Sequence, residues 1–142
     1  MERSYLAMLA VLTIASSAPL LSQQTEIKKV PAPRTSPTSG KEMYTAYCAS
    51  CHGLHAKGDG PAAGALKIPP ADLTTLAQKN NGKFPSNHFA AVLSGQQEVT
   101  AHGSKDMPVW GPIFRSMSHG HATEVQQRIN NISRYLESLQ GE

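Results

Sequence analysis

The stretch that decides the fold is Cys48-Ala49-Ser50-Cys51-His52, two cysteines separated by two residues and followed at once by a histidine. These are the only two cysteines in the chain. A structural disulfide would leave His52 without a role. A thioredoxin-like redox pair requires a βαβ pattern, which the sequence lacks. A zinc site needs about four ligands, so it would have to recruit histidines such as His52 and His55.

The fourth reading, covalent attachment of one haem c, accounts for all three side chains. On one helical turn, two thiols reach the two vinyl groups of a porphyrin, and the next residue directs its imidazole at the iron from the same face. Covalent attachment suits an exported electron carrier, because a dissociable haem would be lost by dilution. We therefore expect Cys48 and Cys51 to attach the haem and His52 to bind its iron.

The iron can keep an open position or take a second axial ligand from elsewhere in the chain. Met107 is the predicted ligand, since it lies 55 residues beyond His52 in Asp106-Met107-Pro108-Val109-Trp110-Gly111-Pro112, a loop stiffened by two prolines. His102 is the main alternative and would give a bis-histidine site. Met43 and His55 lie too close to the attachment motif to cross to the other haem face. The remaining candidates fit the core, loops, caps or a polar helix face better: Met117, His88, His119 and His121.

The N-terminal region has the pattern of an export signal. An almost wholly apolar or small run from Tyr5 to Leu21 follows Arg3 and contains Ala15-Ser16-Ser17-Ala18, small residues suited to cleavage. We predict a signal peptide over 1–22, with an uncleaved membrane anchor as the alternative. A Pro-rich linker over 23–38 and a haem domain over 39–142 follow. The domain is therefore expected to be periplasmic or otherwise exported, and membrane-associated if the first segment is retained.

Composition bounds the remaining function classes. The net charge is +3 with a pI near 9.0, but lysines and arginines are scattered and no nucleic-acid motif accompanies them, so we expect no nucleic-acid partner. Aromatic residues make up only 6% of the chain, which is thin for a domain of about 100 residues. A large apolar cofactor would supply the missing core.

Helical signals alternate with long loops. The sequence predicts an all-α fold of about four helices: one capped by Ser39 with Glu42 in a capping box and running into Cys48, a short one over Asp72–Lys79, one over Ser86–Leu93 capped by Ser86, and a final one capped by Thr123. Val125, Ile129, Ile132, Leu136 and Leu139 form the apolar face of the last helix. Residues 53–70 and 96–114 are predicted loops.

In this order, the pieces resemble the class I monohaem c-type cytochromes of the bacterial periplasmic family, over residues 38–140. The resemblance implies a cytochrome c-like fold in which the last helix, with Ile132 and Tyr135, crosses the first near Gly40. In Gly58-Asp59-Gly60-Pro61-Ala62-Ala63 it implies that the Pro61 carbonyl accepts a hydrogen bond from His52 Nδ1. It also includes Pro70-Ala71-Asp72-Leu73-Thr74, without a role, and the loop of Met107. His102, just ahead of Met107, departs from the family pattern.

The expected function is that of a single-electron carrier with His/Met ligation rather than an enzyme. Its redox partners would be a dehydrogenase or an oxidase, as a free protein or as a subunit of the complex. The alternative is a ligand-binding sensor or a weak peroxidase, which would need an open or labile sixth position on the iron.

Overall fold

The structure is a computed structural model that describes residues 31–96 and 107–141. Its α-helices are α1 (Gly40–Tyr47), α2 (Ala49–His52), α3 (Ser86–Ser94), α4 (Trp110–Met117) and α5 (Ala122–Ser138), with 3₁₀ turns at Ala63–Ala65, Leu73–Thr75 and Gln78–Asn80. No strand occurs in the described part of the chain, and the predicted all-α fold is confirmed. The predicted signal peptide, residues 23–30 of the predicted linker and His102 lie outside the described residues.

The first and last helices cross where the sequence predicts. A Cβ on Gly40 would meet the backbone carbonyl of Asn131, so only glycine permits this approach of α1 to α5. One turn further on, the rings of Tyr44 and Tyr135 lie 5.4 Å apart. Tyr44 is fully buried, as is the apolar face of α5 around Ile132. Burial of these two faces against each other builds the core on which the following motif rests.

The structure confirms one of the predicted helix caps in part and replaces two others. Ser39 Oγ accepts the Glu42 amide at 3.2 Å, but the Glu42 carboxylate accepts the Ser36 amide at 3.3 Å, so only the first half of the capping box is confirmed. The predicted caps at Ser86 and Thr123 are wrong. The caps are Pro85 and His121, whose carbonyls accept the amides of the residues four positions later, at 2.9 and 3.2 Å.

Helix α4 lies where the sequence predicted mostly loop. Its third residue is Pro112, a position where the missing amide hydrogen is not needed by the helix. Trp110 and Phe114 are buried against Tyr47, with ring centroids 5.0 and 5.8 Å from it. The predicted helix over 72–79 is instead two 3₁₀ turns, of which the first is capped by the Asp72 carboxylate.

Residues 33–38, which we call the strap, bind along α1 and α5 although the sequence assigned them to the linker. The Tyr47 hydroxyl donates to the Pro33 carbonyl at 2.7 Å. Arg128 donates to the Thr35 carbonyl at 3.1 Å, and Asn131 donates to the Pro37 carbonyl at 2.9 Å. Hydrogen-bonded structure therefore begins before Ser39.

Candidate haem site

The attachment motif forms a single helical turn directly after α1. The amide of Cys48 bonds to the Tyr44 carbonyl at 2.9 Å, and the amide of His52 bonds to the Cys48 carbonyl at 2.9 Å. Cys48 and Cys51 are free thiols, and both residues are partly exposed. Burial, and then the neighbouring Cys51, raise the pKa of the Cys48 thiol to about 12. The turn therefore offers two thiols and one imidazole within five residues.

The glycine-rich segment after the motif folds back on α2. The amide of Gly60 bonds to the Cys51 carbonyl at 3.1 Å, and that of Ala62 bonds to the Ser50 carbonyl at 2.8 Å. Gly60 is buried, and a Cβ there would meet the Ser50 carbonyl at 2.5 Å. This contact satisfies carbonyl groups that a four-residue helix cannot pair internally. It fixes the shape of the turn that presents the thiols and the imidazole.

A second contact fixes the chain immediately after His52. The buried hydroxyl of Tyr44 donates to the Gly53 carbonyl at 2.6 Å. Gly53 has φ +79°, and a Cβ there would meet the Asp59 carboxylate. Burial is the main cause that raises the pKa of Tyr44 well above its ordinary value, so the phenol remains a donor. The exit from the motif is therefore determined by α1.

The orientation of the His52 ring follows from one carbonyl. Nδ1 of His52 lies 3.0 Å from the Ala71 carbonyl oxygen. A carbonyl only accepts, so a hydrogen bond at this distance places the proton on Nδ1 and the lone pair on Nε2, the tautomer that binds iron. Such a partner orients the ring and increases its basicity as a ligand.

This finding corrects the assignment of Pro61. The carbonyl beside Nδ1 is that of Ala71, ten residues beyond Pro61. Pro61 itself is exposed, between two residues whose amides bond to the backbone of α2. The segment that carries Ala71 reaches the ring because Gly58 has no side chain and lets the Pro70 carbonyl pack against its backbone. The Leu73 amide then bonds to the Ala56 carbonyl at 2.7 Å.

Met107 lies on the segment that leads into α4, three residues before Trp110, and is 36% exposed. The other described methionines have places in the core. Met43 is fully buried, with its sulfur 3.7 Å from an Arg128 nitrogen, and the Met117 sulfur lies 3.5 Å from the Tyr47 hydroxyl. His55, His88, His119 and His121 are all exposed. Met107 is therefore the described methionine whose side chain is not already packed into the core.

The donor set of two thiols and one imidazole on one turn fits haem c. Among residues 31–96 and 107–141, no group of three or more His, Cys, Asp or Glu side chains could hold a metal ion. In the described part of the chain, the large apolar side chains left exposed are Leu54, Ile68, Met107 and Val109. Leu54 lies two residues after His52, and Met107 and Val109 lie on the segment that leads into α4.

In the described part of the chain, no helix has the length and apolar character needed to span a membrane.

Comparisons with known proteins agree with this site. Residues 35–136 match the family model described as cytochrome c oxidase, cbb3-type, subunit III. Cytochrome c-554(547) of Halothiobacillus neapolitanus is 29% identical over 103 residues, which is 71% of this chain and 93% of that protein. No solved structure matches the chain. The match over most of the chain shows membership of the family. The resemblance to monohaem c-type cytochromes, the covalent haem c and a role in haem-based electron transfer are thereby confirmed.

Proposed function

We propose that this member of the cbb3-type subunit III family carries single electrons with His52 and Met107 as the axial ligands of one haem attached through Cys48 and Cys51. The observation that carries the proposal is the 3.0 Å contact between His52 Nδ1 and the Ala71 carbonyl. His52 lies on the same helical turn as both thiols. It leaves Nε2 as the ligating nitrogen. The exposed position of Met107, in contrast to buried Met43, supports the second ligand.

The haem supplies a one-electron centre when bound, with the iron alternating between its ferric and ferrous states. The chain's contribution is to keep both axial positions filled. His52 is oriented by Ala71, and Met107 sits on a segment joined directly to a packed helix. With six ligands in both states, no position is left for a substrate, and little rearrangement accompanies electron transfer. This favours an electron carrier over the sensor or peroxidase alternative.

The partner we propose is a respiratory oxidase, on the exported side of the membrane. The family description names a subunit of a cbb3-type oxidase, and the relative from Halothiobacillus is named as a cytochrome c. The apolar run in 1–22 supports export, either by cleavage or with the segment kept as an anchor. The electron donor would be a dehydrogenase or another cytochrome upstream of the oxidase.

The test compares three substitutions in holoprotein produced with haem-maturation machinery: Met107→Ala, Met117→Ala and His102→Ala. We expect wild type and the Met117 and His102 variants to show low-spin spectra, a weak long-wavelength band from the methionine–ferric pair, and no carbon monoxide binding by the reduced form. Met107→Ala should keep the haem, lose that band, bind carbon monoxide and have a lower potential.

Two outcomes would overturn the ligand assignment. If Met107→Ala keeps the wild-type spectrum and potential, Met107 is not a ligand of the iron. Loss of low-spin character in His102→Ala would identify His102 as the ligand instead. Ready carbon monoxide binding by the wild-type protein would show an open site and favour the sensor or peroxidase function.

A further inference from the structure

We propose that Gly95 and Gly111 are positioning residues for Met107: they seat the start of α4, two to four residues after Met107, against the end of α3, and so set the strength of the bond from Met107 to iron. The inference rests on the proposed ligation by Met107. Two close contacts join the end of α3 to the start of α4. They are the contact of Gly111 with the Ser94 backbone and that of Gly95 with the Val109 side chain.

The first contact is between two backbones. A Cβ on Gly111 would lie 2.5 Å from the Ser94 carbonyl oxygen and 3.0 Å from both the carbonyl carbon and the Cα of Ser94. Gly111 is buried in the first turn of α4, and Ser94 is the last residue of α3. Since the neighbouring atoms belong to the backbone, no rotamer change can make room for a larger residue. Any side chain at 111 must move the start of α4 away from the end of α3.

The second contact lies beside the first. Gly95 ends α3 in the left-handed conformation, with φ +78°, and its amide bonds to the carbonyls of Ala91 and Val92. A Cβ there would meet Cγ1 of Val109, two residues after Met107. Together the two contacts bring residues 94–95 against residues 109–111. The start of α4, which follows Met107 directly, is therefore held against the end of α3.

This seating matters because a thioether is a weak ligand. Its bond to iron would compete with added ligands, and a Met107 already held close to its bonding position loses less conformational entropy when the bond forms. Met107 is two residues from Val109 and four from Gly111, so a displacement at either contact reaches it over a short stretch of backbone. Gly64, by contrast, has open space around it, so a Cβ there should change nothing.

The experiment measures imidazole binding to the ferric holoprotein, because imidazole must displace the sixth ligand. The proteins are wild type, Gly111→Ala, Gly64→Ala as the matched control, and Met107→Ala as the reference for complete loss of the ligand. We expect Gly111→Ala to bind imidazole about tenfold more tightly than wild type, equal to ~1.4 kcal/mol at 25 °C, and Gly64→Ala to match wild type.

Unchanged imidazole affinity in Gly111→Ala, with tighter binding in Met107→Ala, would overturn the positioning role and leave the ligation intact. Unchanged affinity in Met107→Ala would instead overturn the ligation on which the role rests. If Gly111→Ala yields no holoprotein, Gly95→Ala is tested instead, both alone and combined with Val109→Ala. If Val109→Ala partly restores the wild-type imidazole affinity, the contact between Gly95 and Val109 is supported. If Gly95→Ala changes the imidazole affinity equally with and without Val109→Ala, the positioning role is overturned.

Discussion

The buried hydroxyl of Tyr44 and the carbonyl of Gly53 are joined by a 2.6 Å hydrogen bond that ties the middle of α1 to the residue after His52. The attachment motif is therefore held by α1 at both ends. Cys48 follows α1 directly, and the bond from Tyr44 holds Gly53, the residue just after the motif. The position of His52 thus depends on a residue eight positions earlier in the chain.

Tyr44→Phe should destabilise the holoprotein by about 1–3 kcal/mol, because it leaves a buried carbonyl without its donor. The measurement is the free energy of unfolding in urea. Tyr135→Phe is the matched control, since it removes a hydroxyl from the other, partly exposed ring of the same pair and should cost less. Equal losses in the two variants would show that the bond to Gly53 has no special weight.

Gly40→Ala should destabilise the protein by about 1–3 kcal/mol, because the added methyl must displace the Asn131 carbonyl of α5. Alanine is otherwise better than glycine inside a helix by about 1 kcal/mol, so the sign of the effect tests the crossing directly. Lys41→Ala, at the next and exposed position of α1, should be nearly neutral. A gain in stability for Gly40→Ala, measured by thermal or urea unfolding, would contradict the close approach.

Arg128→Met should release the strap and cost about 3 kcal/mol, since it removes a buried guanidinium that bonds both Glu124 and Thr35. Arg34 lies exposed in the strap, so release is measured as faster tryptic cleavage after Arg34, followed by mass spectrometry. Cleavage after exposed Lys67 is the internal control and should keep its rate. Arg128→Lys retains the charge but loses the several donors of the guanidinium. Its rate of cleavage after Arg34 should fall between those of wild type and Arg128→Met.

If Arg34 is cleaved at the same rate in wild type and Arg128→Met, the guanidinium does not hold the strap.

Glu124 should contribute to acid sensitivity. Hydrogen bonds from Arg128 and then Ser118 lower the pKa of its carboxyl below the ordinary value. A lowered pKa in the folded state means that the ionised form adds stability above the unfolded-state value, and that this stability is lost as the pH falls through the folded-state value. The urea midpoint should therefore drop more for wild type than for Glu124→Gln between about pH 6 and about pH 3. Glu137→Gln, which replaces an exposed carboxylate on the same helix, is the control. Its urea midpoint should drop as much as that of wild type over the same pH range.

The sequence predicted the elements whose signal is local and periodic. The first helix followed from Ser39 and its tyrosines, and the last from apolar residues at spacings of three and four. Helix α4 was missed because Trp110-Gly111-Pro112 has the composition of a turn. In the structure Pro112 occupies the first turn, where it breaks no hydrogen bond, and Gly111 is required by the neighbouring helix and not by a bend.

At the site, the covalent spacing of the motif was enough to predict the turn with both thiols and His52, but not the carbonyl that orients the ring. Which carbonyl faces Nδ1 depends on how the loop folds back. The amides on either side of Pro61 bond to α2 and leave Pro61 exposed, while Gly58 packs on the Pro70 carbonyl, next to Ala71. The resemblance already included 70–74, without a role for it. The strap was missed for a similar reason, because its prolines are typical of linkers while its partners, such as Arg128, lie more than 90 residues away.

The packing of α1 on α5 also sets an order of events. Asn131, against which Gly40 packs, lies 79 residues after His52. A chain that crosses a membrane N-terminus first presents both thiols long before the helix that supports α1 has arrived. We therefore expect haem attachment to act on an unfolded chain and to precede folding, so that a chain truncated before Asn131 should still acquire haem while failing to fold. Recognition during haem attachment would then depend on the short sequence at residues 48–52 and not on a folded surface.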